Sequence, residues 1–446
     1  MEIPVRSGGE GDKTKDNKLT WWQLSLLGVG CIIGTGYFLG SGIGIKMTGS
    51  SILISFILAG LGAYIVADAL GKMSAQDPQE GSFRSYAKKA FGSWAGFSSG
   101  WVYWFSEMLI TGSQLTALSI LSRFWFPNVP LWIFASAYAF LGIIVIVIGT
   151  KGFERAQNIF AIIKVAAILM FIILAFAVLF GLFGGNSNNF NIPKDLNEFF
   201  PKGIRGLWSS LIYGFYAFGG IEIMGIMAPR LKNKEDARKS GTIMLIILMA
   251  IYLISLALAT GLAAVDTFNA KESPFVIALD KYNLDFFPHV FNGGIIIAGF
   301  STMAASLFAV TSMLVTLSED GDAPKVFSKK GKLKVPPLAL SLTISGLITS
   351  IVLSLVMPDR IYEYITTAAG LMLLYNWFFI LLSFPRLIKA TGFDHFKRFA
   401  GMTLILTAVS GTLLHKSSRP GFFVSILFVG LVLIVLIIMH FVKKRK

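Results

Sequence analysis

Apolar runs of about 18 residues or more recur along nearly the whole chain, and each is long enough to cross a bilayer as a helix. This feature limits the fold more than any motif does. In lipid every backbone N–H and C=O must be satisfied within the chain, which leaves helices and closed barrels as spanning structures. A barrel needs short alternating segments, and none appear. Of the 446 residues, 54% are hydrophobic and only 14% charged, whereas soluble domains carry about 25% charged residues. The sequence therefore predicts an all-α, polytopic integral membrane protein. The stretch through Lys18 is polar, and the first apolar run is too long for a cleavable signal peptide and lacks a small-residue cleavage site.

About twelve spans are expected, near 21–45, 50–72, 93–122, 130–149, 155–184, 205–228, 240–264, 287–317, 336–356, 361–384, 399–415 and 420–441. About 28 of the 39 Lys and Arg fall on one side of this topology and about 10 on the other. The positive-inside rule then places both termini in the cytoplasm, and an even span count agrees. The same rule accounts for the net charge of +15 without nucleic acid. The single Cys31 excludes an internal disulfide, and His289, His395, His415 and His440 form no ligand motif. No HExxH, GxSxG or acid/base cluster suggests an enzyme, and nothing suggests a metal or other cofactor. No filter-like ring suggests a channel.

Within the first span stands "GVGCIIGTGYFLGSG", Gly28–Gly42. Each Gly in a helix interior costs about 1 kcal/mol against Ala. The sixth span carries a similar interruption, "FYAFGGIE". A long polar segment, Phe183–Gly203, divides the chain after the fifth span, so each interrupted helix opens one five-span half. Paired Gly-interrupted spans in corresponding positions point to a transport site. Unwound backbone is tolerated at membrane depth only where it lines a cavity. Freed N–H groups there attract a carboxylate, and freed carbonyls attract an ammonium. Both together suit the zwitterionic end of an α-amino acid.

"IGTGYFLGSG" (Ile33–Gly42), "PQEGSFRSYAKKAFG" (Pro78–Gly92), "GWVYW" (Gly100–Trp104), "AFGGIE" (Ala217–Glu222) and "EDGDAPKVF" (Glu319–Phe327) are spread over most of the chain. In order and spacing they resemble the amino acid permeases of the amino acid–polyamine–organocation superfamily. The resemblance implies a LeuT-like core of two inverted five-helix repeats, about 21–184 and 205–384. That core spans 21–384, between a cytoplasmic tail at 1–20 and two accessory helices with a basic tail at 385–446. It implies secondary active transport by alternating access. It places the substrate carboxylate on N–H groups around Gly34, Thr35 and Gly36, and the amine on carbonyls of Ile32, Ile33, Tyr216 and Gly219. Phe215, Tyr216 and Phe218 would face the side chain, and Tyr103 would line the path.

Charges inside the membrane are costly, by about 2.5–3.5 kcal/mol each on insertion scales. Lys164 lies mid-span in "IFAIIKVAAILMF" with no acid within a helical turn. In sodium-independent relatives a lysine in the fifth helix stands where sodium-coupled ones bind the ion. The resemblance thus implies that Lys164 is either the proton-coupling residue or a fixed sodium substitute. Carbonyls near Gly30 and Ser306 are its expected partners. Glu107 departs from the family pattern, which has an apolar residue there and an acid at Gln114; side-chain selection, proton movement and structural pairing all stay open for it. Glu222 matches a family acid expected to hold the broken helix or a gate. Asp68, Lys72 and Arg230 invert the family's signs at cytoplasmic helix ends, and Ser312 replaces a common Arg. The expectation is an inner gate with reversed signs, Asp68 reaching Arg230.

These readings converge on a proton-coupled symporter of α-amino acids, neutral ones preferred, in the plasma membrane. Its expected partners are the amino acid, protons and the lipid bilayer, and its oligomeric state is left open. An exchanger, a cationic amino acid or polyamine permease, and a non-transporting amino acid sensor are the alternatives.

Overall fold

A computed structural model describes residues 18–79, 81–148, 150–182, 190–282, 284–329, 335–356 and 361–444. The expected tail before Lys18, Glu80 of the second motif and part of the Phe183–Gly203 divider lie outside them. Among the described residues the regular structure is helical, with no strand. The helices are α1 (Trp21–Ile32), α2 (Thr35–Phe38), α3 (Gly40–Thr48), α4 (Ile52–Gln76), α5 (Ser82–Phe91) and α6 (Ser93–Ser122). They continue as α7 (Leu131–Ile148), α8 (Thr150–Leu179), α9 (Leu196–Phe199), α10 (Gly203–Ala217), α11 (Ile223–Met227) and α12 (Asp236–Leu262). The remainder are α13 (Pro274–Leu279), α14 (Phe286–Glu319), α15 (Pro337–Val356), α16 (Ile361–Leu387), α17 (Gly392–Gly411) and α18 (Arg419–Lys444).

Each expected span falls on a helix or on a broken pair of helices, and the protein is a polytopic α-helical membrane protein. Six helical segments among the described residues are long and apolar enough to cross a membrane by themselves, namely Thr35–Gln76, Ile159–Leu179, Asp236–Leu262, Phe286–Glu319, Ile361–Leu387 and Arg419–Met439. Helix α6 is not among them although it has 30 residues. It is rich in Ser, also carries Thr111, Thr116, Glu107 and Gln114, and is buried almost from end to end. Several of its hydroxyls are satisfied within the helix: Thr111 donates to the Glu107 carbonyl at 2.8 Å, Thr116 to Gly112 at 3.0 Å and Ser119 to Leu115 at 2.7 Å. Such bonds to the carbonyl one turn back let polar residues sit in a dry interior. α6 is therefore the central post, with α14, α16, α5, α7, α15 and α18 packed on it.

Helix α8 shows how lipid and core sort one sequence. Ile162, Leu169, Ile173 and Phe176 recur every three to seven residues and are exposed. Lys164, Ile168, Phe171, Ala175 and Val178 recur every three or four residues and are buried. Two such stripes on one helix mark a lipid face and a protein face. Lys164 thus points inward and has no exposed surface, which excludes the reach to water that a residue near a helix end would have.

Candidate functional site

The first interrupted span is broken where the glycines are densest. α1 stops at Ile32; Ile33 (φ −65°, ψ 111°) and Gly34 (φ −153°, ψ −165°) are extended; α2 restarts at Thr35. No hydrogen-bonded turn crosses Ile33–Gly34 among the described residues. The carbonyls of Cys31 and Ile32 and the N–H groups of Gly34, Thr35 and Gly36 have therefore lost their helical partners. Helix ends always leave such groups, but here they lie at the middle of a buried span. Gly36 is required for the packing: a Cβ there would meet the Tyr216 ring at 2.8 Å.

The second break runs from Phe218 to Glu222, between α10 and α11. It is a chain of tight turns, with the Gly219 N–H donating to the Tyr216 carbonyl at 3.0 Å. Gly220 sits at φ +106°, a region that side chains disfavour. Glu222 holds the turn. One carboxylate oxygen accepts from the Gly220 N–H at 3.0 Å and the other from the Trp377 indole N–H on α16.

The two breaks face each other across a cavity of about 80 Å³. Cys31, Ile32, Gly34 and Gly36 line it from the first break, and Tyr216, Gly219, Gly220 and Glu222 from the second. α6 contributes Tyr103, Glu107, Ile110 and Gln114, spaced four, three and four residues apart and so on one helix face. α14 contributes Thr302, Ala305, Ser306 and Ala309 in the same manner. Thr35 donates its hydroxyl to the Gln114 side-chain oxygen at 2.5 Å, and the Tyr362 hydroxyl on α16 donates to the Thr35 carbonyl at 3.0 Å. Ile33 is fully buried behind the break.

Of the three aromatics expected to face the cavity, only Tyr216 does, its hydroxyl paired with that of Ser113 at 2.6 Å. Phe215 turns away onto Trp377 (centroids 6.1 Å apart), and Phe218 onto Tyr252 (5.3 Å) and Phe56. Consecutive helical residues are rotated by about 100°, so "FYAF" cannot put all its rings on one side. Lys164 donates to the Gly30 carbonyl, directly behind the first break. Ser306 is not its neighbour; that hydroxyl and the Tyr103 hydroxyl face the Glu107 carboxyl.

At the end of the helices nearer α17, Asp68 is buried among cations. It accepts from Arg238 of α12 at 2.6 Å and from Lys397 of α17, with Lys72 at 3.2 Å. Lys72 also bonds Asp394 at 2.5 Å. The expected Asp68–Arg230 pair is thus replaced by Asp68–Arg238. Arg230 closes a different contact, its backbone carbonyl accepting from the Leu19 N–H at 2.8 Å. This ties the chain before α1 to the chain after α11.

A second ionic cluster was not expected. Arg84 of α5 is fully buried, with one guanidinium nitrogen on Asp320 at 2.6 Å and the other on Asp322. Partial burial pushes the Asp320 carboxyl upward, but the Arg84 and Lys88 charges outweigh it and hold it below the usual carboxylate range. Both acids belong to "EDGDAPKVF" and Arg84 to "GSFRSYAKKAFG", so the signal was two motifs whose contact no spacing reveals.

A family model described as Amino acid permease matches residues 23–446. Similar curated proteins include the Uncharacterized transporter YcgH of Bacillus subtilis (strain 168), 56% identical over 434 residues and 97% of each chain. The Aromatic amino acid transport protein AroP of Corynebacterium glutamicum is 33% identical over 374 residues, covering 82% of this chain and 80% of that one. The Gamma-aminobutyric acid permease of Bacillus subtilis (strain 168) is 30% identical over 363 residues, covering 81% and 77%.

Proposed function

The chain belongs to the amino acid permease family and transports amino acids, and on that premise we propose that it is a proton-coupled symporter of α-amino acids, neutral ones preferred. It works by alternating access in the plasma membrane, with both termini in the cytoplasm. The core at 21–384 would be a LeuT-like pair of inverted repeats, each opening on one of the broken spans. The observation that carries this reading is the broken first span, which offers bare N–H groups at Gly34, Thr35 and Gly36 opposite bare carbonyls at the end of α1. A carboxylate binds the first set, aided by the positive end of the helix that α2 begins. The ammonium takes the carbonyls of Ile32 and Ile33, with Tyr216 and Gly219 completing its shell from the second break. Lys164 couples the cycle to protons, because its ammonium is the group that fixes the carbonyl end of α1. Losing its proton weakens that hold and frees α1 to move.

The test is uptake of an amino acid panel into proteoliposomes under an imposed pH gradient. Acid outside should drive accumulation, and Lys164→Ala should reduce it to equilibration while exchange persists. Uptake indifferent to the gradient would remove proton coupling, accumulation unchanged in Lys164→Ala would remove that residue from it, and absence of any uptake would overturn the reading.

A further inference from the structure

The cavity is bordered by two buried carboxyl groups, which differ in what holds them. Glu222 gives one oxygen to the Trp377 indole and the other to the Gly220 N–H. Glu107 faces two hydroxyls, those of Ser306 and Tyr103, and its charged neighbour is the Glu222 carboxylate rather than a cation. Lys164, the buried lysine of α8, is turned to the Gly30 carbonyl. Glu107 is therefore a carboxyl that lines the cavity, and of the about four acceptor positions a carboxylate offers, two hydroxyls take two, leaving room for a ligand donor.

Its position on α6 says which part of a ligand it would meet. Gln114 is joined to Thr35 at the start of α2, the end where a carboxylate would bind. Glu107 lies seven residues away on the same face, about 10.5 Å along the helix axis at 1.5 Å per residue. A ligand anchored at α2 by its carboxylate would send its side chain toward Glu107.

We propose that Glu107 selects the side chain of the transported amino acid, and that the preferred substrates end in an N–H or O–H donor rather than a hydrocarbon. This rests on the reading of the two breaks as an amino acid site. A donor-bearing side chain meets the open acceptor positions of Glu107, with Ser306 and Tyr103 on its flanks. A hydrocarbon of the same shape buries the carboxyl unmatched, and a site built for a hydrogen bond discriminates strongly against an analogue that lacks it. A hydrogen bond to such a group is worth about 1.5–3 kcal/mol, equivalent to roughly 10- to 100-fold in affinity.

The experiment compares size-matched pairs: threonine with valine, lysine with norleucine, and tyrosine with phenylalanine. Each is measured as uptake into proteoliposomes and as equilibrium binding to purified protein. In the size class that binds best, the donor-bearing member should be favoured at least about tenfold. Glu107→Leu should abolish or invert that ratio while amino acids are still bound, and Glu107→Gln, which keeps an acceptor oxygen, should retain part of it. Equal affinity within pairs for the wild type, or a ratio unchanged in Glu107→Leu, would overturn the proposal. A Glu107→Leu protein altered only in its pH response would also overturn it, since that would make Glu107 a proton carrier alone. Uptake without donor preference sinks this inference and spares the transport reading; absence of both uptake and binding sinks both.

Discussion

Glu222 is a single residue on which the shape of the second break depends. Its two oxygens accept from the Gly220 N–H and from Trp377, and Gly220 is held at φ +106° beside it. A glutamine has one acceptor oxygen and would turn its amide N–H₂ toward one of those two donors. Glu222→Gln therefore leaves a buried donor unmatched, at a cost of about 1–3 kcal/mol. The expected result is earlier thermal unfolding in detergent together with loss of uptake, whereas a variant as stable and active as the wild type would show that the turn stands without the carboxylate.

Among the helices, the Asp68 cluster joins α4 to α12 and to α17, the second-last helix of the chain. Its cations are not equivalent. Arg238 is about half exposed, and exposed pairs contribute about 0.2–1 kcal/mol. Lys397 is 13% exposed against a carboxylate that is 4% exposed, and breaking a buried pair costs about 3–5 kcal/mol because a charge is left behind. Lys72 remains beside Asp68 and offsets part of that. Lys397→Ala should thus lower stability by about 2–3 kcal/mol and Arg238→Ala by less than about 1 kcal/mol. Comparing both in denaturant unfolding checks the ranking; equal effects would mean that α17 is not anchored through Asp68.

Across the whole molecule, side-chain contacts stand on either side of the cavity. On one side Tyr362 covers Thr35, beneath an open vestibule of about 400 Å³ lined by Lys46, Arg123, Lys271 and Glu363. On the other, Arg84 clamps the end of α14 to α5 through Asp320 and Asp322. Breaking this clamp should open the path from that side. Cys31, the chain's only cysteine, lines the cavity and reports on it. Arg84→Ala should raise the rate of Cys31 labelling by a small thiol reagent by about tenfold or more, the worth of one or two charge-assisted bonds. Because Arg84 holds the Asp320 carboxyl below its ordinary range, that carboxyl stabilises the clamp above about pH 4 and loses this effect only as pH falls through its lowered pKa. The labelling ratio between variant and wild type should therefore be the same at pH 5 and pH 8. A ratio that collapses at pH 5 would place a different titrating group in the clamp.

The order of amino acids by itself determined the all-helical membrane architecture, because hydrophobic run length is set by bilayer thickness. It also located both breaks, since a glycine cluster weakens a helix wherever it occurs, and it marked Lys164 as a charge in mid-span, whose partner near Gly30 came from the family resemblance. Partners were decided only in three dimensions. Arg230 and Arg238 are eight residues apart, and which one meets Asp68 depends on where α12 starts and how it leans on α4. Tyr216 faces the cavity while Phe215 and Phe218 do not, because the phase of α10 is fixed by its neighbours rather than by composition. Ser306 lies on Glu107 rather than on Lys164, and Arg84 finds two acids 236 and 238 residues away. Local pattern fixes which segments can be helices and where they fail; pairing across helices depends on rotation and tilt, which arise only when every helix buries its face at once.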